Sequence, residues 1–324
     1  MIMEIFVTSK SFAKNNPGAE TTLAANGFSI RRSSCLNPST EQISKEIGNA
    51  DVLLVGNDVV NSSVFDNAPN LKLVVMHGTG LDGIDIKAAS MHGIMVANAP
   101  GANRNAVAEM AVGLMLTVGR RIDKFEGILK SGKWERSAGH EVSGSTVGIL
   151  GLGNIGKRVV ELLSGFEVKI VAFDPFEKSS WVQEHNVLLC KNEDDVFKTA
   201  DFLVLTVPLT KDTEKIVNSR TLALMKPNAY VINIARGGLI DESALCAAID
   251  DKKIAGAALD TFAEEPLPVD SPLRKLDIVL TPHIAATSIE TSAKVSAAVA
   301  EIIVDIMNNK KINLAVNSET LQKR

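Results

Sequence analysis

Short apolar runs alternate with polar segments of helical spacing along the whole of this chain. Residues 4–7, 51–55, 71–76 and 94–97 are short and rich in aliphatic and β-branched side chains, while 40–48 and 86–92 between them carry a helical period. Such alternation predicts a parallel sheet covered by helices. Pro100-Gly101 breaks the pattern, and the Ala-, Val-, Leu- and Met-rich stretch 104–130 then reads as one long, well-buried helix. A second alternating series follows, with strands expected at 146–150, 169–173, 202–206, 230–234, 257–260 and 278–281. The final segment, 287–309, is again helical and is expected to return to the first unit. The pattern thus predicts an α/β protein of two Rossmann-like, doubly wound parallel-sheet domains with an active-site cleft between them. The first is expected to comprise 1–98 plus 288–324 and the second 99–287.

A glycine-rich turn, Gly151-Leu152-Gly153-Asn154-Ile155-Gly156, directly follows the apolar run 146–150. Glycines at that spacing permit a tight turn, close approach to a pyrophosphate and close helix packing, and the helix N-terminus presents free N–H groups to the phosphates. Alone the motif is weak. Here a strand precedes it, a helical stretch follows, and Asp174 closes the next strand 18 residues past Gly156, near the spacing of a ribose-binding acid. Asp174 would accept hydrogen bonds from both ribose hydroxyls and repel a 2′-phosphate, and no arginine lies in Pro175-Phe176-Glu177 to clasp one. NAD is favoured over NADP, which makes 99–287 the NAD-binding domain and the remainder the substrate domain.

Three further residues, Arg236, Glu265 and His283, each lie just beyond an expected strand. In an open parallel sheet, ligands bind outside the carboxyl ends of the strands. Reducing a ketone with hydride needs a proton donor that works near neutrality, and histidine is the usual one. A neighbouring carboxylate stabilises the imidazolium and orients the ring. The arginine fork binds a carboxylate bidentately and stabilises negative charge developing on a carbonyl oxygen. Each residue by itself has a structural explanation, as a cap or a turn residue. Jointly they point to an enzyme acting on a 2-oxo or 2-hydroxy acid.

Composition narrows the partners. Hydrophobic residues are 45% and charged residues 22%, a globular balance. A net charge of −4 and the lack of a dense basic stripe argue against nucleic acid. Cys35, Cys190 and Cys246 have neither CxxC spacing nor an even count, which argues against a disulfide framework and a zinc site and suits a reducing compartment. The segment 1–7 runs straight into Thr8-Ser9-Lys10 and does not read as a secretory leader, and no apolar stretch is long enough to span a bilayer. A cytoplasmic location, with no metal and no membrane partner, is expected.

The assembled motifs resemble the D-isomer-specific 2-hydroxyacid dehydrogenases, most nearly the phosphoglycerate dehydrogenase branch. The likeness rests on Gly78-Thr79-Gly80-Leu81-Asp82-Gly83-Ile84-Asp85, Asn98-Ala99-Pro100-Gly101-Ala102-Asn103, Val107-Ala108-Glu109, Gly132-Lys133-Trp134-Glu135-Arg136, the glycine turn, Asn233-Ile234-Ala235-Arg236-Gly237-Gly238, Ala258-Leu259-Asp260-Thr261-Phe262, Glu264-Glu265-Pro266 and Thr281-Pro282-His283-Ile284. It covers nearly the whole chain in the family's order. The resemblance implies that Arg236 holds the substrate carboxylate, that His283 is the acid/base with Glu265 as its charge partner, and that the Gly78-Thr79-Gly80 backbone also meets the carboxylate. It places Thr79, Gly151, Gly153, Asn154, Ile155, Gly156, Asp174, Val207, Ile234, Ala235, Arg236, Asp260, His283, Ala285 and Ala286 around the cofactor, with Asp260 near the nicotinamide amide.

Two departures bear on substrate. The family's phosphoglycerate enzymes carry arginines in the first domain, where this chain has Gly56-Asn57 and His77; Arg104 replaces a residue that is usually small and polar. A polar or anionic substrate tail contacted by Asn57, His77 or Arg104 is expected. The resemblance also implies a homodimer formed through the region of the long helix. The competing reading is a dinucleotide-sensing binding protein of the co-repressor type, disfavoured by the lack of long flexible tails. Glu265 argues against a formate enzyme and leaves phosphite oxidation open.

Overall fold

Among the described residues twelve strands, all parallel, fall into two sheets, each built around its own core. The computed structural model describes residues 2–178 and 180–322. The chain divides into unit 1, residues 1–103 and 287–324, and unit 2, residues 104–286. The first junction lies a few residues later than the sequence analysis placed it, because Asn98 and Asn103 bind back to Thr79 and tie the segment after the fifth strand to unit 1.

Unit 1 contains β1 (Met3–Val7), β2 (Phe28–Arg32), β3 (Val52–Val55), β4 (Leu73–Met76) and β5 (Met95–Ala97), in the order β2-β1-β3-β4-β5. This is a doubly wound order whose direction reverses between β1 and β3. Alternate side chains feed opposite faces of the sheet. Ile5, Val7, Val52, Leu54, Leu73 and Val75 pack with helices Gly18–Ala25 and Ile289–Met307, and Phe6, Leu53, Val55, Val74 and Met76 pack with the helices on the other side. The C-terminal helix Ile289–Met307 does return to this unit; Ser288 caps it by accepting from Thr291 N at 3.0 Å.

Unit 2 contains β6 (Thr146–Leu150), β7 (Lys169–Phe173), β8 (Val187–Leu189), β9 (Phe202–Leu205), β10 (Tyr230–Asn233), β11 (Gly256–Leu259) and β12 (Val279–Leu280). Their order, β12-β11-β10-β9-β6-β7-β8, is the dinucleotide-binding arrangement with an additional outer strand, and it reverses between β6 and β9. The glycine turn leaves β6 at that reversal.

The stretch 104–130 is not one helix. Arg121 sits at φ 55°, in the left-handed region, and divides it into Arg104–Arg120 and Ile122–Lys130. The first piece packs Val107, Ala108, Ala111, Leu114, Met115 and Val118 into the core of unit 2. The second buries no residue at all, although its pattern is amphipathic. Strands β2 and β8 lie at sheet edges; in β2, Ser29, Arg31 and Arg32 dilute the apolar signal by which the other strands are legible, while β8 is only three residues long, Val187-Leu188-Leu189.

Candidate active site

The three strands that end nearest the outer edge of unit 2 deliver the candidate chemistry. Beyond β10, buried Asn233 shapes the turn: its Nδ2 donates to the Arg236 carbonyl at 2.9 Å and its Oδ1 accepts from Ala235 N at 3.1 Å. Arg236 is thereby held in extended backbone, half-buried, with Nη1 donating to the Ala235 carbonyl at 2.7 Å. Gly237 follows because nothing larger fits: a Cβ there would stand 1.8 Å from the Phe262 carbonyl carbon. That contact locks the Arg236 turn against the loop running from β11 to Glu265.

Glu265 and His283 are joined directly. Glu265 Oε2 lies 2.6 Å from His283 Nδ1, and Oε1 accepts from Phe262 N at 3.0 Å. The pair leaves Nε2 as the imidazole nitrogen available to a substrate. Both side chains are a little over one-third exposed, 35% and 38% respectively, so a ligand can reach them.

His283 has φ 51°, a left-handed conformation costly for a residue with a Cβ. Asp260 supplies the compensation. Its carbonyl accepts from His283 N at 2.8 Å; its Oδ1 accepts from Thr281 Oγ1 at 2.6 Å and Ile284 N at 2.9 Å; its Oδ2 accepts from Ala285 N at 2.8 Å. Three consecutive backbone N–H groups converge on one residue that is 0% exposed. Asp260, expected beside the nicotinamide, is therefore engaged in holding the His283 loop. Asn233 and Thr281 were quoted in the sequence motifs without a role; only their partners reveal that they position Arg236 and His283.

The glycine turn fits a dinucleotide. Gly151 has φ 96°, and a Cβ on Gly156 would lie 2.1 Å from the Gly151 carbonyl oxygen, so both positions require glycine. Around a Cβ on Gly153, by contrast, there is open space. Gly153 is the N-cap of helix Asn154–Leu162 and offers no side-chain cap, which leaves the first-turn N–H groups of Asn154, Ile155 and Gly156 for an anion. Asp174 is oriented by two backbone donors, Leu152 N to Oδ2 at 2.8 Å and Phe176 N to Oδ1 at 2.9 Å, and each oxygen retains acceptor capacity. Thr206, not singled out from sequence, donates to the Gly151 carbonyl at 2.6 Å and steadies the turn. Ile234 and Ala285 are buried, and Val207, Ala235 and Ala286 half-buried, beside these loops.

In unit 1, Thr79 is held by Asn98 Nδ2 donating to its carbonyl at 2.6 Å and Asn103 Nδ2 to its hydroxyl at 3.2 Å. Gly78 and Gly80 flank it, half-buried; Asn57 is exposed. Arg104 is exposed at the first turn of the helix opening unit 2. His77 is not free to reach outward: Nδ1 lies 3.0 Å from Ser11 Oγ and Nε2 2.9 Å from Ser296 Oγ, with the Phe12 ring edge-on. Ser296 spends its own proton on the Ser292 carbonyl at 2.8 Å, so Nε2 carries the hydrogen and Nδ1 accepts from Ser11. Burial pushes the imidazole down to about 4, consistent with a neutral ring. Among the described residues no group of three or more His, Cys, Asp or Glu could hold a metal ion.

Comparison with known proteins identifies the family. The model of the "D-isomer specific 2-hydroxyacid dehydrogenase, NAD binding domain" matches residues 112–285. The chain is 41% identical to a D-3-phosphoglycerate dehydrogenase of Methanocaldococcus jannaschii over 86% of its own length and 53% of that protein's. It is 38% identical to a glyoxylate reductase of Thermofilum pendens, covering 89% of this chain and 87% of the relative. It spans about half the length of the phosphoglycerate dehydrogenase. The solved NAD+-bound 3-phosphoglycerate dehydrogenase of Entamoeba histolytica superposes with a TM-score of 0.83 at 27% identity, covering 98% of this chain and 99% of that one. The chain belongs to the D-isomer-specific 2-hydroxyacid dehydrogenase family, and unit 2 carries its NAD-binding domain.

Proposed function

We propose that this chain is an NAD-dependent oxidoreductase that interconverts a D-2-hydroxy acid and its 2-oxo acid. The observation that carries the reading is the His283–Glu265 pair at 2.6 Å, set on strand ends beside the one that bears Arg236, in a unit whose glycine turn fits a dinucleotide. When bound, NAD supplies or accepts the hydride. The chain's own residues do the rest. Arg236 binds the substrate carboxylate and stabilises negative charge on the adjacent carbonyl oxygen. His283 Nε2 donates a proton to that oxygen on reduction and takes it back on oxidation, while Glu265 holds the Nδ1–H and stabilises the imidazolium. The Gly78-Thr79-Gly80 backbone adds carboxylate contacts, and Asn57 and Arg104 are the side chains proposed near the substrate tail.

The protein is proposed to work as a cytoplasmic homodimer. Its three cysteines are free, as in a reducing compartment, and among the described residues no helix is long and apolar enough to cross a membrane. Leu129 and Trp134, 59% and 80% exposed, lie on and just beyond the helix that buries no residue, which supports self-association there rather than through Arg104–Arg120.

NADH oxidation against a panel of 2-oxo acids, run beside His283→Ala, tests the reading. Turnover of at least one acid, falling about 100-fold or more in the variant, is expected. Tight NADH binding with no turnover of any acid would favour the dinucleotide-sensing alternative.

A further inference from the structure

The amino-terminal edge of the sheet in unit 2, opposite the glycine turn, carries a cleft that the dehydrogenase reading does not use. Its volume is about 210 Å³, and it lies where β6, β9 and β10 begin, lined by Phe202, Tyr230 and the segment 140–145 among others. That segment is fixed in place. His140 N donates to the Gly119 carbonyl at 2.7 Å, a Cβ on Gly139 would stand 2.5 Å from the same oxygen, and Ser145 Oγ donates to the Val142 carbonyl at 2.6 Å. The Phe202 and Tyr230 rings stack with centroids 5.3 Å apart, and the exposed His140 ring meets Tyr230 at 5.9 Å, tilted by 65°. Tyr230 is only 6% exposed, yet its hydroxyl has no hydrogen-bond partner among the described residues. The sealed, unpartnered side-chain atoms among those residues are Arg158 Nε and Thr261 Oγ1, so the Tyr230 hydroxyl opens into the cleft that the residue lines. A polar group so nearly desolvated calls for a partner. Burial raises the phenol above its ordinary value, against the opposing charge of Arg121, which leaves it a neutral donor.

The charges around the cleft decide what it can take. Asp201 is already engaged, Oδ2 accepting from Thr146 N and Oδ1 from Lys226 Nζ, both at 2.9 Å. Arg121 is engaged too, donating to Asp277 Oδ2 at 2.8 Å and Ser137 Oγ at 3.2 Å. An anionic ligand would therefore find these cations paired. Glu141 and Asn228, both exposed, line the cleft and have no side-chain partner among the described residues. The open groups are thus a carboxylate that only accepts, a phenol that donates and an amide that does both, beside aromatic rings. We propose that this cleft binds the amino-bearing edge of a planar nitrogen heterocycle, an aminopyrimidine or aminopurine base. The amino group of the base donates to Glu141, and a ring nitrogen beside it accepts from Tyr230 Oη. The volume is below the roughly 300–1,000 Å³ of sites for drug-sized ligands, which limits the buried part to about one base.

The test titrates cytidine and adenosine into the protein saturated with NAD+, so that the glycine turn is filled beforehand, and follows binding by ligand-observed NMR. Uridine and inosine, in which a carbonyl replaces the amino group, run alongside. Cytidine or adenosine is expected to bind with a Kd of about 1 mM or tighter, and its carbonyl counterpart about threefold or more weaker. Tyr230→Phe removes only the unpartnered hydroxyl, so it should melt with the wild type and bind the amino base about three- to tenfold more weakly. Glu141→Gln, at an exposed position, should narrow the preference for the amino base over its carbonyl counterpart. No binding of either amino base at several millimolar overturns the proposal. So does an affinity unmoved in Tyr230→Phe, which would place any bound base elsewhere, and equal binding of the amino and carbonyl bases would refute the role given to Glu141. None of these readouts involves turnover, so their outcome is independent of the dehydrogenase reading.

Discussion

Replacing Asp260 by asparagine changes one atom in a fully buried side chain, yet it should loosen the loop that carries His283. The carboxylate accepts from Thr281 Oγ1 and Ile284 N on one oxygen and from Ala285 N on the other. Asparagine has one carbonyl oxygen. In its better orientation that oxygen keeps Thr281 and Ile284, and the new NH2 group faces the Ala285 N–H, donor against donor. Leaving a buried donor unsatisfied costs about 1–3 kcal/mol, and the two retained bonds lose their charge assistance, for a total of about 2–4 kcal/mol. For a unit of this size each kcal/mol lowers Tm by roughly 2–4 °C, so a drop of about 4–16 °C is expected. The left-handed backbone at His283 then loses part of its support, and kcat should fall by about tenfold or more, since 1.4 kcal/mol of misplacement is already a factor of ten. Thermal unfolding and steady-state kinetics on the same preparations read both quantities. A variant that melts within about 1 °C of wild type and keeps its turnover would refute the role assigned to these bonds, whose loss should exceed 1 kcal/mol.

Other perturbations reach different parts of the molecule. His77 has a folded-state value of about 4 against an ordinary 6.5, so the unfolded chain takes up the proton first. Its contribution, about 3 kcal/mol, is complete above pH 6.5 and is lost as the pH falls towards 4; urea unfolding of wild type and His77→Gln across that range should diverge, and parallel pH profiles would contradict it. Thr261 is buried with its hydroxyl unpartnered, so Thr261→Val should raise stability by about 1 kcal/mol, measured by denaturant midpoint; a loss of stability would show that the hydroxyl is in fact satisfied. Gly156→Ala forces a Cβ against the Gly151 carbonyl, and NADH affinity measured by fluorescence titration should weaken about tenfold or more, with unchanged binding contradicting the assigned turn. Wild type should prefer NADH to NADPH by kcat/KM, and Asp174→Ser should erode that preference; a ratio unmoved by the change would remove Asp174 from cofactor selection.

Local pattern alone determined much of this protein. Apolar runs bounded by polar segments marked ten of the strands, the glycines marked the turn after β6, and Arg236, Glu265 and His283 stood out as candidates because each lies just beyond such a run. Strand β2 escaped that pattern because Ser29, Arg31 and Arg32 make its composition mixed, and β8 because an apolar run of three residues is too short to stand out. The division of 104–130 at Arg121 escaped it too, since a left-handed residue without glycine leaves no compositional mark. What only the tertiary structure decided is which polar groups are already taken. His77 sits 66 residues from Ser11 and 219 from Ser296, and Asp260 meets the His283 loop more than twenty residues on. Those pairings depend on where parallel strands and their connections bring distant segments together, and hydrogen-bond partners, unlike hydrophobic periods, carry no signature along the chain.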